Sequence, residues 1–257
     1  MSPIGRPPAA PAPTPALGPA RPAPTLLFGD DFDGLALDAQ RWAACSTAAT
    51  SPCANNHLAR YDEGNASVAD GVLTLEARRD GAAAPSYTSG GISSVFAFTY
   101  GYMEARVKIP AGRGLWPAFW TLPADGSWPP EIDVMEILGH RPNVTQMHYH
   151  WGASDRAPGK AWKGPDFSAG WHTFGVDWQP RSLVWYVDGV ERWRFTSAAV
   201  TAEPHFLLLN LAVGGAWPGA PDAATPFPSE YLVDYVRVWD RFPGLLSKNL
   251  SLSRIWR

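Results

Sequence analysis

The sequence contains no run of about 18 apolar residues, so no segment reads as a transmembrane helix. It has no basic run, and a net charge of −3 with a pI near 6.1 leaves no electrostatic footprint for nucleic acid. Cysteine is scarce. Only Cys45 and Cys53 occur, eight positions apart in CSTAATSPC, with no metal-ligand pattern around them. In an exported chain they would close a small disulfide loop; in a reducing compartment they would be two free thiols. Residues 1–25 are mostly Pro and Ala and lack an apolar h-region, so they read as an extended, disordered leader and not a signal peptide. No stretch keeps a helical period over about eleven residues.

What is present fits one globular domain with a full core: 46% of residues are hydrophobic and 18% charged. Thirteen tryptophans are the outlier, since the indole offers sugar rings a flat apolar face with a polar N–H. Roughly a third of them are expected on a binding surface, the rest in the core. From Leu26 onward, short runs of period two alternate with Gly, Pro and Asp. VLTLEARR (72–79), GYMEARVKIP (101–110), WHTFGVDW (171–178) and YLVDYVRVW (231–239) are strands of this kind. SLVWYVDGVERWRF (182–195) is a hairpin turning at Asp188-Gly189, and HFLLLNLAV (205–213), apolar on both faces except Asn210, is a central strand. Many short strands in one unbroken domain argue for an antiparallel sandwich or barrel.

The stretch SWPPEIDVMEILGH, residues 127–140, sets Glu131, Asp133 and Glu136 among apolar residues. Alone, it suits a helix: Pro129 and Pro130 fit a start, Gly139 fits the end, and Ile132, Met135 and Leu138 form a stripe. The acids would then be a solvated face. Among alternating strands, the strand reading is better. On a flat strand Glu131 and Asp133 share one face and Glu136 takes the other. One extra residue, a β-bulge at Val134 or Met135, returns Glu136 to their side. Three carboxylates on one face repel, which raises at least one pKa and lets one acid give a proton while its neighbour stays ionised. Glycoside hydrolysis uses two carboxylates divided in that way.

EIDVMEILG resembles the E-x-D-x-x-E active-site strand of glycoside hydrolase family 16, in the bulged form of laminarinase-like members. FGDDFDG (28–34), GLWPAFWTLP (114–123), MHYH (147–150), WHTFGVDW, LNLAVGGAWPG (209–219) and VDYVRVW (233–239) also resemble family blocks, in order. The resemblance implies an all-β, antiparallel β-jelly-roll sandwich (concanavalin A-like) with a concave substrate cleft. It implies a catalytic domain over residues 26–242 and a tail over 243–257. The implied activity is a retaining endo-β-glycosidase acting by double displacement on a polysaccharide, foremost β-1,3-glucan. Mixed-linkage glucan, a galactan, a bacterial exopolysaccharide and transglycosylation stay open within that class. A non-catalytic glycan-binding module is the reading from another class, and the intact acid set argues against it. The resemblance makes Glu131 the nucleophile, Glu136 the general acid and then base, and Asp133 the group that tunes Glu131.

Trp116, Trp120 and Trp217 are expected as apolar platforms for sugar rings near the acids, and His148 and Asn65 resemble sugar-binding residues of that family. Trp116 and Trp120 share strand parity, so one face carries both, cleft or core. His148 is a cleft histidine or a core one, and Asn65 in DEGNASV is a sugar ligand or a plain turn residue. Trp217, in the Gly-flanked GGAWPG, is freer to face a ligand. Two positions depart from relatives that act on β-1,3-glucan: Gly91 where they often carry Arg, and Pro130 where they carry Gly. Asp31, Asp234 and the Gly71 carbonyl match an oxygen-only structural Ca²⁺ site on the convex side, or Asp31 and Asp234 are surface acids. Catalysis is expected to need no cofactor. The expected partner is a polysaccharide, with no nucleic acid and no membrane, and the protein a monomer, secreted or at the cell surface.

Overall fold

The computed structural model describes residues 22–46, 53, 58–81 and 87–244, so most of the leader and tail expected from the sequence lie outside the described residues. In chain order the strands are β1 (Leu26–Asp30), β2 (Trp42–Ala44), β3 (Ala59–Tyr61), β4 (Ala66–Ala69), β5 (Val72–Arg79) and β6 (Tyr87–Ser89). There follow β7 (Gly91–Phe98), β8 (Gly101–Lys108), β9 (Leu115–Pro123), β10 (Glu131–Ile137), β11 (Val144–His150) and β12 (Gly159–Lys163). The set ends with β13 (His172–Gln179), β14 (Ser182–Val187), β15 (Val190–Thr196), β16 (His205–Val213) and β17 (Ser229–Trp239). The one helical turn among the described residues is a 3₁₀ turn, Glu63–Asn65.

Seven strands form one sheet, in the order β12-β11-β10-β9-β16-β7-β2. The other sheet runs β15-β14-β13-β8-β17-β5-β6-β3, with β1 added on β17 and β4 on β5. Pairing is antiparallel except between β3 and β6. One buried cluster joins the two inner faces, drawing Leu73, Met103 and Phe174 from the larger sheet and Phe119, Ile132 and Leu209 from the smaller. This is the sandwich that alternating apolar residues require, each strand turning one face inward.

Local sequence explains the elements. In β5, Leu73, Leu75 and Ala77 are buried while the residues between them are more open. The β14–β15 turn places Asp188 and Gly189 at φ of 52° and 72°, the two left-handed residues of a type I′ hairpin. β16 lies between β9 and β7, which accounts for its near-continuous apolar run. Its odd residues Leu207, Leu209 and Leu211 enter the core, while Asn210 and Ala212 line the groove described below.

The acid-bearing stretch is strand β10. Its register slips between Asp133 and Glu136 against β11, and between Asp133 and Met135 against β9. Two residues of β10 therefore oppose one neighbour at Val134-Met135, as a β-bulge requires. Ile132, Val134, Met135 and Ile137 all stay buried. At the bulge the Asp133 carbonyl accepts a 2.8 Å hydrogen bond from the indole of Trp185, which reaches across from β14 in the other sheet.

Candidate active site

Strands β9, β10, β11 and β16 turn their outer side chains into one groove of about 560 Å³. Pairing sets the neighbours: Glu131 lies opposite His150, Asp133 opposite His148 on one side and Trp120 on the other, and Glu136 opposite Gln146 and Ala118. All three acids line the groove, so the bulge does bring Glu136 to the side of Glu131 and Asp133. On β12, a Cβ at Gly159 would collide with the His148 ring, so glycine leaves the room that imidazole fills.

Each glutamate accepts from a tryptophan indole and faces a histidine. Glu136 Oε1 accepts from the Trp116 indole at 3.1 Å, and Oε2 lies 3.0 Å from His148 Nδ1. Glu131 Oε2 accepts from the Trp128 indole at 2.8 Å, and Oε1 lies 3.8 Å from His150 Nε2. His150 Nε2 is also 3.3 Å from Asp133 Oδ2, while its Nδ1 lies 2.9 Å from Asp155 Oδ1.

Asp133, only 2% exposed, sits between the glutamates. Burial pushes its pKa far up, and the charges of Glu131 and Glu136 push it further. Burial also raises Glu131, but the neighbouring His150 charge, a hydrogen bond shared with Asp133 and the Trp128 indole all pull the other way. The shared hydrogen bond lowers Glu131 and raises Asp133, so of the two Asp133 holds a proton more strongly and Glu131 more readily carries charge. Glu131 is thus the carboxyl suited to face the groove as a nucleophile.

Trp116, Trp120, His148 and Trp217 line the groove beside the acids, so the strand face shared by Trp116 and Trp120 is the groove face. Trp120 donates to Asn210 Oδ1 at 2.7 Å, and the Trp217 ring stands edge-on to Trp116 with centroids 5.0 Å apart. Counting Trp128 at the rim, four of the thirteen tryptophans surround the acids. Asn65 is a correction. It is buried outside the groove lining, and its amide nitrogen donates to the Glu76 carbonyl and Thr88 Oγ1, fixing a turn. Cys45 and Cys53 are joined in a disulfide. A Cβ on Gly91 would come within 2.8 Å of Cys45 Sγ and 3.0 Å of Asn210 Cβ, so the disulfide fills the space a side chain there would enter.

Sequence reasoning missed His150, Asn210, Trp128 and Asp155. The shared parity of His148 and His150 in MHYH was the available signal for His150. The expected calcium ligands Asp31 and Asp234 lie in ion pairs. Asp31 pairs with Arg237 and Asp234 with Arg106, each at 2.8 Å. A dication held by both carboxylates would face two guanidinium groups, so this donor set as arranged does not fit Ca²⁺.

Two stacked sheets with an indole-lined groove and three acids at its centre define a carbohydrate-acting jelly roll. The model for "Glycosyl hydrolases family 16" matches residues 54–237, and the chain belongs to that family. It is 36% identical over 242 residues to Endo-1,3-1,4-beta-glycanase EglC of Rhizobium meliloti (strain 1021), covering 84% of this chain and 51% of that protein. It is 40% identical over 183 residues to Endo-1,3-1,4-beta-glycanase ExsH of the same organism, covering 67% of this chain and 39% of that one. The chain thus spans about half or less of these relatives. Among solved structures, the endo-beta-1,3-glucanase from Pyrococcus furiosus superposes with a TM-score of 0.76 at 34% identity, covering 86% of this chain and 96% of that one. Among the described residues, no helix is long and apolar enough to cross a membrane.

Proposed function

We propose that this chain is a retaining endo-β-glucanase that cleaves internal β-1,3 linkages of a polysaccharide by double displacement. The observation that carries it is the bulged strand β10, which sets Glu131, Asp133 and Glu136 in one groove, each glutamate held by a tryptophan indole. Glu131 attacks the anomeric carbon while Glu136 gives its proton to the leaving oxygen, forming a glycosyl-enzyme. Glu136 then takes a proton from water, whose oxygen displaces Glu131 and restores the β configuration. Asp133 holds its proton toward Glu131 throughout, favouring the departing carboxylate. Trp116, Trp120 and Trp217 give sugar rings apolar faces.

A second reading, a mixed β-1,3-1,4 glycan, draws on two observations. The Rhizobium relatives are named for both linkages, and the disulfide occupies the space where relatives often carry Arg. A panel of purified laminarin, lichenan and cellulose, with product sizing and anomer detection, separates the two. Short β-anomeric oligosaccharides from laminarin support the first reading. Cleavage of lichenan with laminarin untouched supports the second, and α-anomeric first products refute retention. The reading places the protein outside the cell as a monomer, where polymeric glucan is found and the Cys45–Cys53 disulfide persists.

A further inference from the structure

Three side chains in the groove form a set that the hydrolytic mechanism does not need as a set. Donor atoms of Glu131, Asp133 and His150 all lie within 4.8 Å of one another. His150 Nε2 is 3.3 Å from Asp133 Oδ2 and 3.8 Å from Glu131 Oε1. Ligands on a tetrahedral zinc ion, with bonds of about 2.0–2.1 Å, stand about 3.3 Å apart. The unfilled group points the same way: Asp133 Oδ2 is buried and has no hydrogen-bond partner among the described residues. It lies in the groove wall, aimed at His150.

Behind His150, Asp155 Oδ1 lies 2.9 Å from Nδ1. With Nδ1–H donating to Asp155, Nε2 is the nitrogen turned toward Glu131 and Asp133, and a metal ion binding there would displace the protons of Nε2 and Asp133 into solvent. A carboxylate bracing the far nitrogen of a histidine is the arrangement that orients metal-binding imidazoles. One imidazole with two carboxylates suits a borderline dication such as Zn²⁺; Ca²⁺ and Mg²⁺ favour oxygen ligands alone. The groove leaves the fourth coordination position to water.

We propose that Glu131, Asp133 and His150, braced by Asp155, form an inhibitory Zn²⁺ site that closes the nucleophile of the proposed glucanase. The ion would occupy the oxygen with which Glu131 attacks, so metal and glycan exclude each other. The inhibition rests on the hydrolytic reading, whereas the binding does not.

Calorimetric titration of ZnCl₂ into the metal-free full chain is the test. The expected result is one ion per chain, with affinity at least tenfold lower in His150→Gln and about tenfold lower in Asp155→Asn, as for lost second-layer partners. His148→Gln should change affinity by less than about twofold, because that imidazole faces Glu136. Asp155 is partly exposed on a loop, so its variant keeps the test usable if His150→Gln does not fold. With activity as the readout, Zn²⁺ should raise the apparent KM for soluble β-glucan, leave kcat unchanged and be reversed by EDTA. No saturable binding, binding indifferent to both His150→Gln and Asp155→Asn, or inhibition that lowers kcat at unchanged KM would overturn the proposal. Saturable zinc binding in a chain that cleaves no glucan would sink the hydrolytic reading and leave the metal site standing.

Discussion

Two buried carboxyls, one in each sheet, have opposite fates. Glu104 of β8 is 3% exposed, and its oxygens accept from the hydroxyls of Tyr102 and Tyr235, each at 2.7 Å. Asp133 of β10 is as buried, yet one of its oxygens has no hydrogen-bond partner among the described residues, and its neighbours are two further acids. Burial is the first cause of a raised pKa at both. The hydroxyl donors at Glu104 work against that rise, whereas the acids around Asp133 add to it. Burial alone therefore does not mark a reactive carboxyl. A saturated one is a piece of core, and an unsaturated one beside like charges is poised to exchange a proton or take a ligand.

The largest expected effect separates the two sheets by activity. Glu131→Ala and Glu136→Ala should each lower kcat by about 10⁴-fold or more, in line with the loss of a group acting in the transition state. Thermal melting of both variants should stay within a few degrees of the parent. Activity near the parent level in either would refute the assigned roles. Glu104→Ala should do the reverse. Two buried hydroxyls lose their acceptor, which costs about 2–4 kcal/mol by denaturant titration, while kcat stays within about twofold.

Asp133→Asn sharpens the comparison through pH. Because the folded pKa of Asp133 lies above its unfolded value, its stabilising contribution is full below the ordinary carboxylate range. It fades as pH rises toward the folded pKa. Asparagine has no such dependence, so the variant should gain stability over the parent as pH increases above that range. It should also lose about 10²-fold in kcat, a typical cost for one preorganised partner. A stability difference flat with pH would show that Asp133 is ionised in the folded protein. The smallest effect concerns the larger sheet: with Asp31 and Asp234 paired to arginines, EDTA should leave the melting temperature unchanged. A fall of several degrees would restore calcium to that site.

Much of this was legible in the sequence, for identifiable reasons. A period-two run gave β5 over Val72–Arg79, since alternation is imposed by the pleat itself, and a run apolar on both faces gave the central strand β16 over His205–Val213. Asp188-Gly189 announced its hairpin because few residues tolerate two left-handed positions. The two-then-three spacing of the acids required a bulge, and β10 has one at Val134-Met135. Asn65 misled because a turn asparagine has the same local sequence whether its amide faces sugar or the Glu76 carbonyl.

The sequence by itself determined which way each side chain leaves its strand, and so which three acids share a face. That property is local, fixed by backbone geometry within a few residues. Only the tertiary structure decided what meets those acids: Trp116 from β9 on Glu136, His150 from β11 beside Asp133, and Trp185 from the opposite sheet under the bulge. Those partners come from residues 17 to 52 positions away. Such contacts follow from how two sheets bury a common core, and no local rule of strand geometry encodes them.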